Sequence, residues 1–378
     1  MNKGTNVKLK ILSVITALSV ILLSASCDAA AISPLKSVVT INHTQLDLAA
    51  GETFTLTATS SIDNEISWFS TFDAVATVSK NGVVTAKSAG ETTVSATDGI
   101  SVADCRVTVT EAIDGYVLTF KDEFDGDSLD LTKWGYNFGT QDVYGNSYGP
   151  AYWGNSELQY YTEGNNAEVS DGTLKIIAKR ESMGDRQYTS SRILTRNKFS
   201  QTYGYFEAKM KLPAGSGMWP AFWLMPEPNS KDSYANEYGT WASNGEIDIM
   251  EMKGRLPDLI DTTIHFGGYW PENRINGKTT KISTPATEWH TYALEWTEES
   301  LAWIIDGKKV YEVSNKVYYS TASDNPSAPF DKPFYIIFNL AVGGSYDPTG
   351  TAEFLAKNDF TEACMEVDYV RVYKKAEQ

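Results

Sequence analysis

The sequence is poor in the residues that form covalent cross-links and metal clusters. Its 378 residues include only three cysteines and three histidines. Cys27 belongs to a leader segment, so Cys105 and Cys364 are the two cysteines left in the body of the chain. We expect both to be buried free thiols, because they fall in different predicted domains. No disulfide framework is available, the few histidines argue against a zinc cluster, and stability must come from burial.

Positive charge is the second deficit. The chain carries 32 Lys and Arg against 48 Asp and Glu, which gives a net charge of −16 at pH 7. Such a field repels nucleic acid and anionic polymers at long range, so a neutral partner fits better. Aromatic residues make up 12% of the chain, including 10 Trp and 21 Tyr. Their rings can fill an ordinary β core or stack on sugars, and composition alone leaves both uses open.

The first residues have the organisation of an export signal. Three lysines precede an apolar run at 11–23, which is too short to span a bilayer permanently. Small residues follow up to Cys27, and residues 22–27 (LLSASC) resemble a bacterial lipobox. We therefore predict a lipoprotein signal peptide at 1–26, lipidation of Cys27 and a tether at 27–36. Ordinary signal-peptide cleavage nearby is the alternative.

The leader also predicts where the protein works. A lipidated cysteine would anchor an exported protein in the outer membrane of a Gram-negative bacterium, at the cell surface or in the periplasm. Contact with the membrane is expected through the lipid anchor only. We expect the folded body to be a monomer.

Residues 37–112 have the pattern of a small β-sandwich. Short segments alternate apolar and polar residues, many of them β-branched, and Asn81-Gly82 is a tight hairpin signal. Segments such as Ile66-Ser67-Trp68 and Gly82-Val83-Val84-Thr85-Ala86 resemble the bacterial immunoglobulin-like domain of group 2. The resemblance implies an immunoglobulin-like fold without known chemistry. A spacer role is the prediction, and carbohydrate binding is the alternative.

Residues 113–378 continue the strand pattern with longer loops. These loops are rich in Gly, Trp, Tyr and Asn, and Asp306-Gly307 lies between two apolar segments as another tight hairpin. No convincing amphipathic helix or internal repeat is apparent. A stretch of this length that is nearly all β predicts one large sandwich or barrel, with a polymer lying on its concave face.

The most informative segment is 245–252 (GEIDIMEM). Glu246 and Asp248 alternate with isoleucines, so a strand would present both acids on one face and the isoleucines to the core. Glu251 lies an odd number of residues after Asp248, so it would face the other way on a regular strand. A β-bulge with Met250 as its extra residue would return Glu251 to the side of Glu246.

Three carboxyl groups crowded on one stretch of groove have a chemical use. Neighbouring carboxylates cannot all stay ionised, so the pKa of at least one must rise. A retaining glycosidase needs one carboxylate nucleophile and one neutral carboxylic acid, about 5 Å apart. We expect Glu246 to be the nucleophile, Glu251 the acid/base, and Asp248 the residue that tunes Glu246. A solvated strand with alternating acids is the alternative without catalysis.

The segment resembles the E-x-D-x-x-E signature of glycoside hydrolase family 16, in its bulged, laminarinase-like form. The likeness covers residues 113–378 and implies an all-β fold, a concanavalin-like β-jelly-roll sandwich with the cleft across the concave sheet. Further segments that match the family in order are DEF (122–124), NSELQYY (155–161), YGYFEA (203–208), MWPAFW (218–223), TIHF (263–266), WHTY (289–292), FNLAVGG (338–344) and VDYVRV (367–372).

The resemblance also implies roles for single residues. Glu246 matches the nucleophile, Asp248 the assisting acid and Glu251 the acid/base, and no cofactor is implied for catalysis. The matching substrate-binding positions are Asn155, Arg192, Trp219, Trp223, Trp241, His265 and Asn339. Core packing is the alternative for the cleft tryptophans, Trp223 above all, and a structural role is the alternative for His265.

A structural calcium ion on the convex face is a second implication, because many relatives hold one there. Glu123, Asp368 and the backbone oxygen of Gly172 match that site, and oxygen ligands suit this hard cation. A plain surface acid pair is the alternative.

Two segments depart from the family pattern and leave the linkage preference least constrained. They are 239–244 (GTWASN), before the acid motif, and 345–348 (SYDP). We predict endo-hydrolysis of β-1,3-linked or mixed-linkage β-1,3/1,4-glucan. An agarase- or carrageenase-type galactan hydrolase of the same family is the first alternative, and the net charge argues against sulfated substrates. A surface glucan-binding protein without catalysis is the second, and the three intact acids argue against it.

Overall fold

The chain divides into two compact units, residues 1–110 and 111–378, and each is described by itself. This computed structural model describes residues 36–110, 113, 115–140, 151–230, 234–347, 351, 355 and 360–376. The predicted signal peptide, Cys27 and all but the last residue of the predicted tether lie outside the described residues. Within the described residues, no helix combines the length and apolar character needed to cross a membrane.

Over its described residues, 36–110, the first unit is a β-sandwich of nine short strands. They are β1 (Val39–Ile41), β2 (Gln45–Ala49), β3 (Thr53–Thr55), β4 (Ala58–Ser60), β5 (Ser67–Ser70), β6 (Ala76–Val78), β7 (Val83–Ala86), β8 (Gly90–Thr97) and β9 (Val102–Thr110). One sheet has the order β2-β9-β8-β5, a second β3-β7-β6, and β1 pairs with β4. Alternating burial along β2 places Leu46 and Leu48 in the core with Val84 and Val107. Cys105 is buried there as a free thiol, as predicted.

The second unit is almost entirely β, with one short 3₁₀ helix at Ala151–Gly154 among its described residues. Its strands are β10 (Tyr116–Asp122), β11 (Gly135–Asn137), β12 (Gln159–Tyr161), β13 (Ala167–Ser170), β14 (Thr173–Lys179), β15 (Tyr188–Ser190), β16 (Arg192–Leu194), β17 (Gly204–Lys211), β18 (Met218–Pro226), β19 (Glu246–Glu251), β20 (Leu259–Gly267), β21 (Asn273–Lys281), β22 (His290–Trp296), β23 (Ser300–Ile305), β24 (Lys308–Ser314), β25 (Phe334–Val342) and β26 (Glu362–Lys375).

Two large sheets enclose the core of this unit. The first has the order β12-β15-β14-β26-β17-β22-β23-β24, with β10 also paired to β26 and β13 to β14. The second has the order β11-β16-β25-β18-β19-β20-β21. Their inner faces share one apolar cluster, which includes Phe206 and Val370 from the first sheet and Ile247 and Phe338 from the second. The all-β jelly-roll prediction is confirmed.

The two sheets are also joined at the acid motif. The indole N–H of Trp303, fully buried on β23, donates a hydrogen bond of 2.9 Å to the backbone oxygen of Asp248 on β19. A buried indole requires such a partner, and here it fixes the middle of β19 to the opposite sheet. Cys364, expected to be buried, is a free thiol that is only half-buried on β26, because its strand position faces away from the core.

Candidate active site

The acid motif lies on a bulged central strand of the second sheet. Opposite β18, Phe222 pairs with Met250 but Trp223 pairs with Asp248, so one residue of β19 has no partner. The predicted β-bulge is therefore present, but its unpaired residue on this side is Ile249 rather than Met250. Ile249 and Met250 are both buried in the core, as are the flanking Ile247 and Met252. The bulge absorbs the odd spacing by turning two consecutive side chains inward.

Glu251 consequently shares the outer face of the sheet with Glu246. Glu246 lies directly opposite His265 on β20, and Glu251 lies opposite Asp261 on the same strand. Directly opposed residues point to the same face of a sheet. The predicted convergence of Glu246, Asp248 and Glu251 on one groove is what this register produces.

Each glutamate has its own tryptophan donor. The indole N–H of Trp241 donates a 2.9 Å hydrogen bond to Oε2 of Glu246, whose side chain is 16% exposed. The indole N–H of Trp219 donates a 2.7 Å hydrogen bond to Oε1 of Glu251. These contacts place two of the three predicted cleft tryptophans directly against the acids. They fix the two carboxyl groups in position and leave the opposite oxygen of each without an indole donor.

His265 joins the two acids nearest the start of the strand. Its Nε2 lies 3.6 Å from Oε1 of Glu246 and 3.4 Å from Oδ2 of Asp248. Burial opposes protonation of this imidazole, but the charges of Glu246 and Asp248 outweigh it and raise its pKa to about 9. At neutral pH His265 is therefore a cation that offsets part of the carboxylate charge.

Burial and mutual repulsion act together on the two glutamates. Burial, followed by the charge of Asp248, raises the pKa of Glu246 to about 7. Burial, again followed by Asp248, raises the pKa of Glu251 well above its usual range. His265, Trp241 and Arg192 all favour the ionised form of Glu246, whereas at Glu251 the charges of both Asp248 and Glu246 oppose the effects of Trp219 and His265. The environment thus separates the two groups into an ionisable carboxylate and a retained carboxylic acid.

The same cluster offers ligand atoms for a metal ion, which the shortage of histidine argued against. Glu246, Asp248 and His265 each present one ligand atom, and these atoms lie within 4.8 Å of one another. Oε2 of Glu246 already accepts the hydrogen bond of Trp241. We assign the cluster to acid–base chemistry, because two of its three members are the glutamate and aspartate of the acid motif.

A second group of predicted residues forms a polar wall on β16 and β25. The guanidinium of Arg192 lies between two indoles, 4.6 Å from the ring of Trp223 and 4.9 Å from that of Trp153. Trp223 donates a 2.7 Å hydrogen bond to Oδ1 of Asn339, which lies directly opposite Arg192. Trp223 is half-buried, and it also packs against the apolar cluster of Leu194, Tyr335 and Ile337, so it takes part in core packing as well as in the polar wall.

Behind this wall lies a buried carboxyl network that sequence analysis missed. Oε2 of Glu157 accepts hydrogen bonds from the hydroxyl of Tyr161 at 3.1 Å and from the Gln159 amide at 2.6 Å. Tyr161 also accepts a 3.2 Å bond from the Asn339 amide, and Asn155 contacts the same carboxyl. Burial raises the pKa of Glu157, and Arg192 counteracts it. The matched segment at 155–161 contained Asn155, Glu157, Gln159 and Tyr161, but motif matching alone could not tell which side chains face inward.

On the other side, the unusual segment at 345–348 contributes to the site. We call Trp219, Tyr346, Asp261 and Lys253 the acid-side clamp. The ring of Tyr346 stacks on Trp219 with centroids 4.6 Å apart, and its hydroxyl donates to Asp261. Lys253 Nζ lies 3.7 Å from the centre of the Tyr346 ring and 2.7 Å from Oδ2 of Asp261. Tyr346, which belongs to a segment that departs from the family pattern, thus supports Trp219, the hydrogen-bond donor to Glu251.

The predicted calcium residues do not fit a cation as they are placed. Both carboxylate oxygens of Glu123 accept hydrogen bonds from Arg371, at 2.8 and 2.7 Å. Oδ2 of Asp368 lies 2.7 Å from Nζ of Lys209. Gly172 occupies a turn with φ +72°. Two basic side chains already neutralise the acids, so we derive no role for calcium here.

Comparisons with known proteins agree with this architecture. The family "Glycosyl hydrolases family 16" matches residues 154–369, and "Bacterial Ig-like domain (group 2)" matches residues 37–109. A glucan endo-1,3-beta-glucosidase A1 of Niallia circulans is 44% identical over 278 residues, which are 70% of this chain and 39% of that protein. The chain thus spans less than half the length of this relative.

Two further similarities come from Rhodothermus marinus. A beta-glucanase of this organism is 40% identical over 267 residues, covering 69% of this chain and 86% of the relative. The X-ray structure of its laminarinase aligns with a TM-score of 0.58 at 39% identity, over 69% of this chain and 98% of that one. The family match over residues 154–369, the jelly roll and the bulged acid strand agree, and the chain belongs to glycosyl hydrolase family 16. It is a glycoside hydrolase that also carries a bacterial Ig-like domain of group 2.

Proposed function

We propose that this enzyme cleaves β-1,3-linked and mixed-linkage β-1,3/1,4-glucan internally and retains the anomeric configuration. The observation that carries the proposal is the bulge in β19, which brings Glu246 and Glu251 to one face with separate indole donors. The relatives named as glucanases support the substrate class. The net charge of −16 favours a neutral polymer over a sulfated one.

In the first step, the Glu246 carboxylate attacks the anomeric carbon while the bond to the leaving oxygen breaks. Glu251 transfers its proton to that oxygen, so the departing chain leaves as a neutral alcohol. The product is a glycosyl ester of Glu246. The negative charge of Glu246 is lost as this ester forms, so the hydrogen bond from Trp241 then has a neutral acceptor, and the cationic His265 helps to keep Glu246 ionised beforehand.

In the second step, water attacks the anomeric carbon and the ester bond to Glu246 breaks. Glu251, now a carboxylate, takes the proton of that water and is restored to its acid form. Asp248 stays between the two, and its charge raises the pKa of both glutamates. Two inversions at the same carbon give net retention.

The polar wall supplies the groups that would orient the sugar chain. Arg192 and Asn339 present donors for hydroxyl groups, and Trp223 holds both in place through its ring and its N–H. Asn155 is exposed beside them. These residues, with Trp219, Trp241 and His265, are our assignment for substrate binding.

Product analysis tests this function directly. The full chain should shorten laminarin and barley mixed-linkage glucan and leave agarose and carrageenan intact, as judged by product size. Proton NMR of the first product should show the β-anomer.

Glu246→Gln should abolish turnover with an unchanged circular dichroism spectrum. Cleavage of galactans alone would refute the glucanase assignment, and binding of glucan without turnover by the wild type would assign a binding protein.

We further propose that the mature chain is a monomeric exported lipoprotein anchored through Cys27. The support is the order of basic, apolar and small residues that ends at this cysteine. Cys27→Ala should release the protein from the membrane fraction and abolish labelling by a fatty-acid probe. Unchanged fractionation of the variant would reject lipidation in favour of ordinary signal cleavage.

A further inference from the structure

An exposed apolar surface lies at the edge of the second sheet, outside the site described so far. We define the edge patch as Tyr269, Trp270, Ile275 and Tyr319, all of them large and exposed side chains. Trp270 is 74% exposed and Ile275 is 64% exposed. Tyr269 and Trp270 lie in the turn between β20 and β21, and the backbone oxygen of Tyr319 accepts a 2.9 Å bond from Gly267 at the end of β20.

Strand register connects this patch to the catalytic acids. Glu246 on β19 lies opposite His265 on β20, and His265 lies opposite Ile275 on β21. Side chains that are directly opposed share a face, so Ile275 belongs to the face that carries Glu246. Neighbouring strands are about 4.8 Å apart, which places the strand of Ile275 about 10 Å from that of Glu246. The sheet face that carries the acids therefore continues past His265 onto an open apolar edge.

The turn also touches the loop that holds Glu246. Gly239, with φ +88°, packs so closely on the hydroxyl of Tyr269 that a Cβ at this position would clash with it. Two residues further on, Trp241 donates its hydrogen bond to Glu246, and its ring lies 5.5 Å from that of His265. The Tyr269 side chain thus packs on the loop that positions Trp241, and Trp270 beside it is the most exposed residue of the patch.

We infer that the edge patch is a remote subsite that binds sugar units of the glucan chain beyond those next to the cleaved bond. The inference rests on the proposed function. The flat apolar face of an indole matches the C–H face of a pyranose ring, and Tyr269 and Tyr319 add hydroxyls that can bond to sugar hydroxyls. Because the patch continues the groove at its open edge, only a substrate long enough to leave the centre of the cleft reaches it.

Chain length is the readout that separates this role from a structural one. The double variant Trp270→Ala/Ile275→Ala in the full chain should raise KM for laminarin about tenfold, equivalent to about 1.4 kcal/mol of binding. It should leave kcat/KM unchanged for a short aryl laminari-oligosaccharide that fills only the central positions. Trp289→Ala is the matched control, because this tryptophan is 38% exposed just before β22 of the first sheet, beside Lys209, and should affect neither substrate.

Other outcomes overturn the inference. Equal losses on the short and long substrates would mean that the turn acts through the Trp241 loop, and unchanged KM for laminarin would mean that the patch binds no sugar. A wild-type dimer that the double variant dissociates, with kinetics unaltered, would assign the surface to a second copy of the chain. Failure of the proposed function is distinguishable, because the wild type itself would then hydrolyse neither substrate.

Discussion

The indole N–H of Trp241 provides a direct test of how the nucleophile is tuned. In Trp241→Phe, an apolar ring remains in the loop, but the 2.9 Å hydrogen bond to Oε2 of Glu246 is lost. That bond favours the ionised carboxylate, so its removal must raise the pKa of Glu246. The ionised nucleophile would then become available only at higher pH.

The size of the shift follows from the type of bond. A hydrogen bond to a charged group contributes roughly 1.5–3 kcal/mol, and one pKa unit corresponds to about 1.36 kcal/mol. The pKa of Glu246, about 7 in the wild type, should therefore rise by about one to two units in the variant.

The assay is the pH dependence of kcat/KM on laminarin, whose acid limb reports ionisation of the nucleophile in the free enzyme. This limb should move to higher pH in Trp241→Phe. Trp219→Phe is the matched control, because it removes the donor to Glu251 and should move the alkaline limb upward instead. The limbs describe the pair of glutamates jointly, so the comparison of the two variants is decisive. An acid limb that stays in place in a folded Trp241→Phe enzyme would refute the tuning argument.

Three further changes test other parts of the site. Tyr346→Ala removes the ring that supports Trp219. Activity should fall on natural glucans, whose leaving oxygen needs a proton from Glu251, and persist on a dinitrophenyl glycoside, whose leaving group needs no proton. Equal losses on both substrates would mean general misfolding. Glu246→Gln removes a carboxyl whose pKa is raised from 4.5 to about 7. Ionising such a group lowers the stability of the folded state as pH rises above 4.5, by up to about 3 kcal/mol at pH 7 and above. The variant should therefore melt at a higher temperature than the wild type at pH 8, and this difference should vanish near pH 4.5. Glu157→Ala leaves buried donors on Gln159 and Tyr161 unpaired and should lower the free energy of unfolding by about 2–4 kcal/mol, whereas Glu157→Gln should recover most of it, as urea titration of the full chain can show.

The catalytic strand was predictable because its pattern is local. Alternation fixed the faces of Glu246 and Asp248, and the odd spacing of Glu251 required a bulge. The position of the unpaired residue was not predictable, since Ile249 and Met250 are both apolar and either can turn inward. The register with β18 decided between them. Likewise, Asp306-Gly307 forms the expected tight turn, with φ of +49° and +70°.

Contacts between distant segments were beyond the sequence. Nothing local links Tyr346, which follows β25, to Lys253, which follows β19, or to Asp261 on β20. More than eighty residues of sequence separate Tyr346 from each of them, and only the folded sheet brings the three together. The surroundings of the predicted calcium residues were also beyond the sequence. Glu123 and Asp368 have carboxylates that suit a cation, but Glu123 is hydrogen-bonded to Arg371 and Asp368 is ion-paired with Lys209. Both basic partners come from neighbouring strands.

The bulge in β19 also limits how this catalytic unit can be altered or transplanted. Deleting one residue between Asp248 and Glu251 would let a regular strand keep both glutamates on one face, but an even ladder that retained all six residues of β19 would turn Glu251 into the interior that Met250 and Met252 line. Every residue beyond that point would exchange inside for outside. Catalysis therefore depends on the bulged geometry of the strand as much as on the identity of the acids. The same six residues grafted onto a regular strand would not bring the two glutamates to one face and should be inactive.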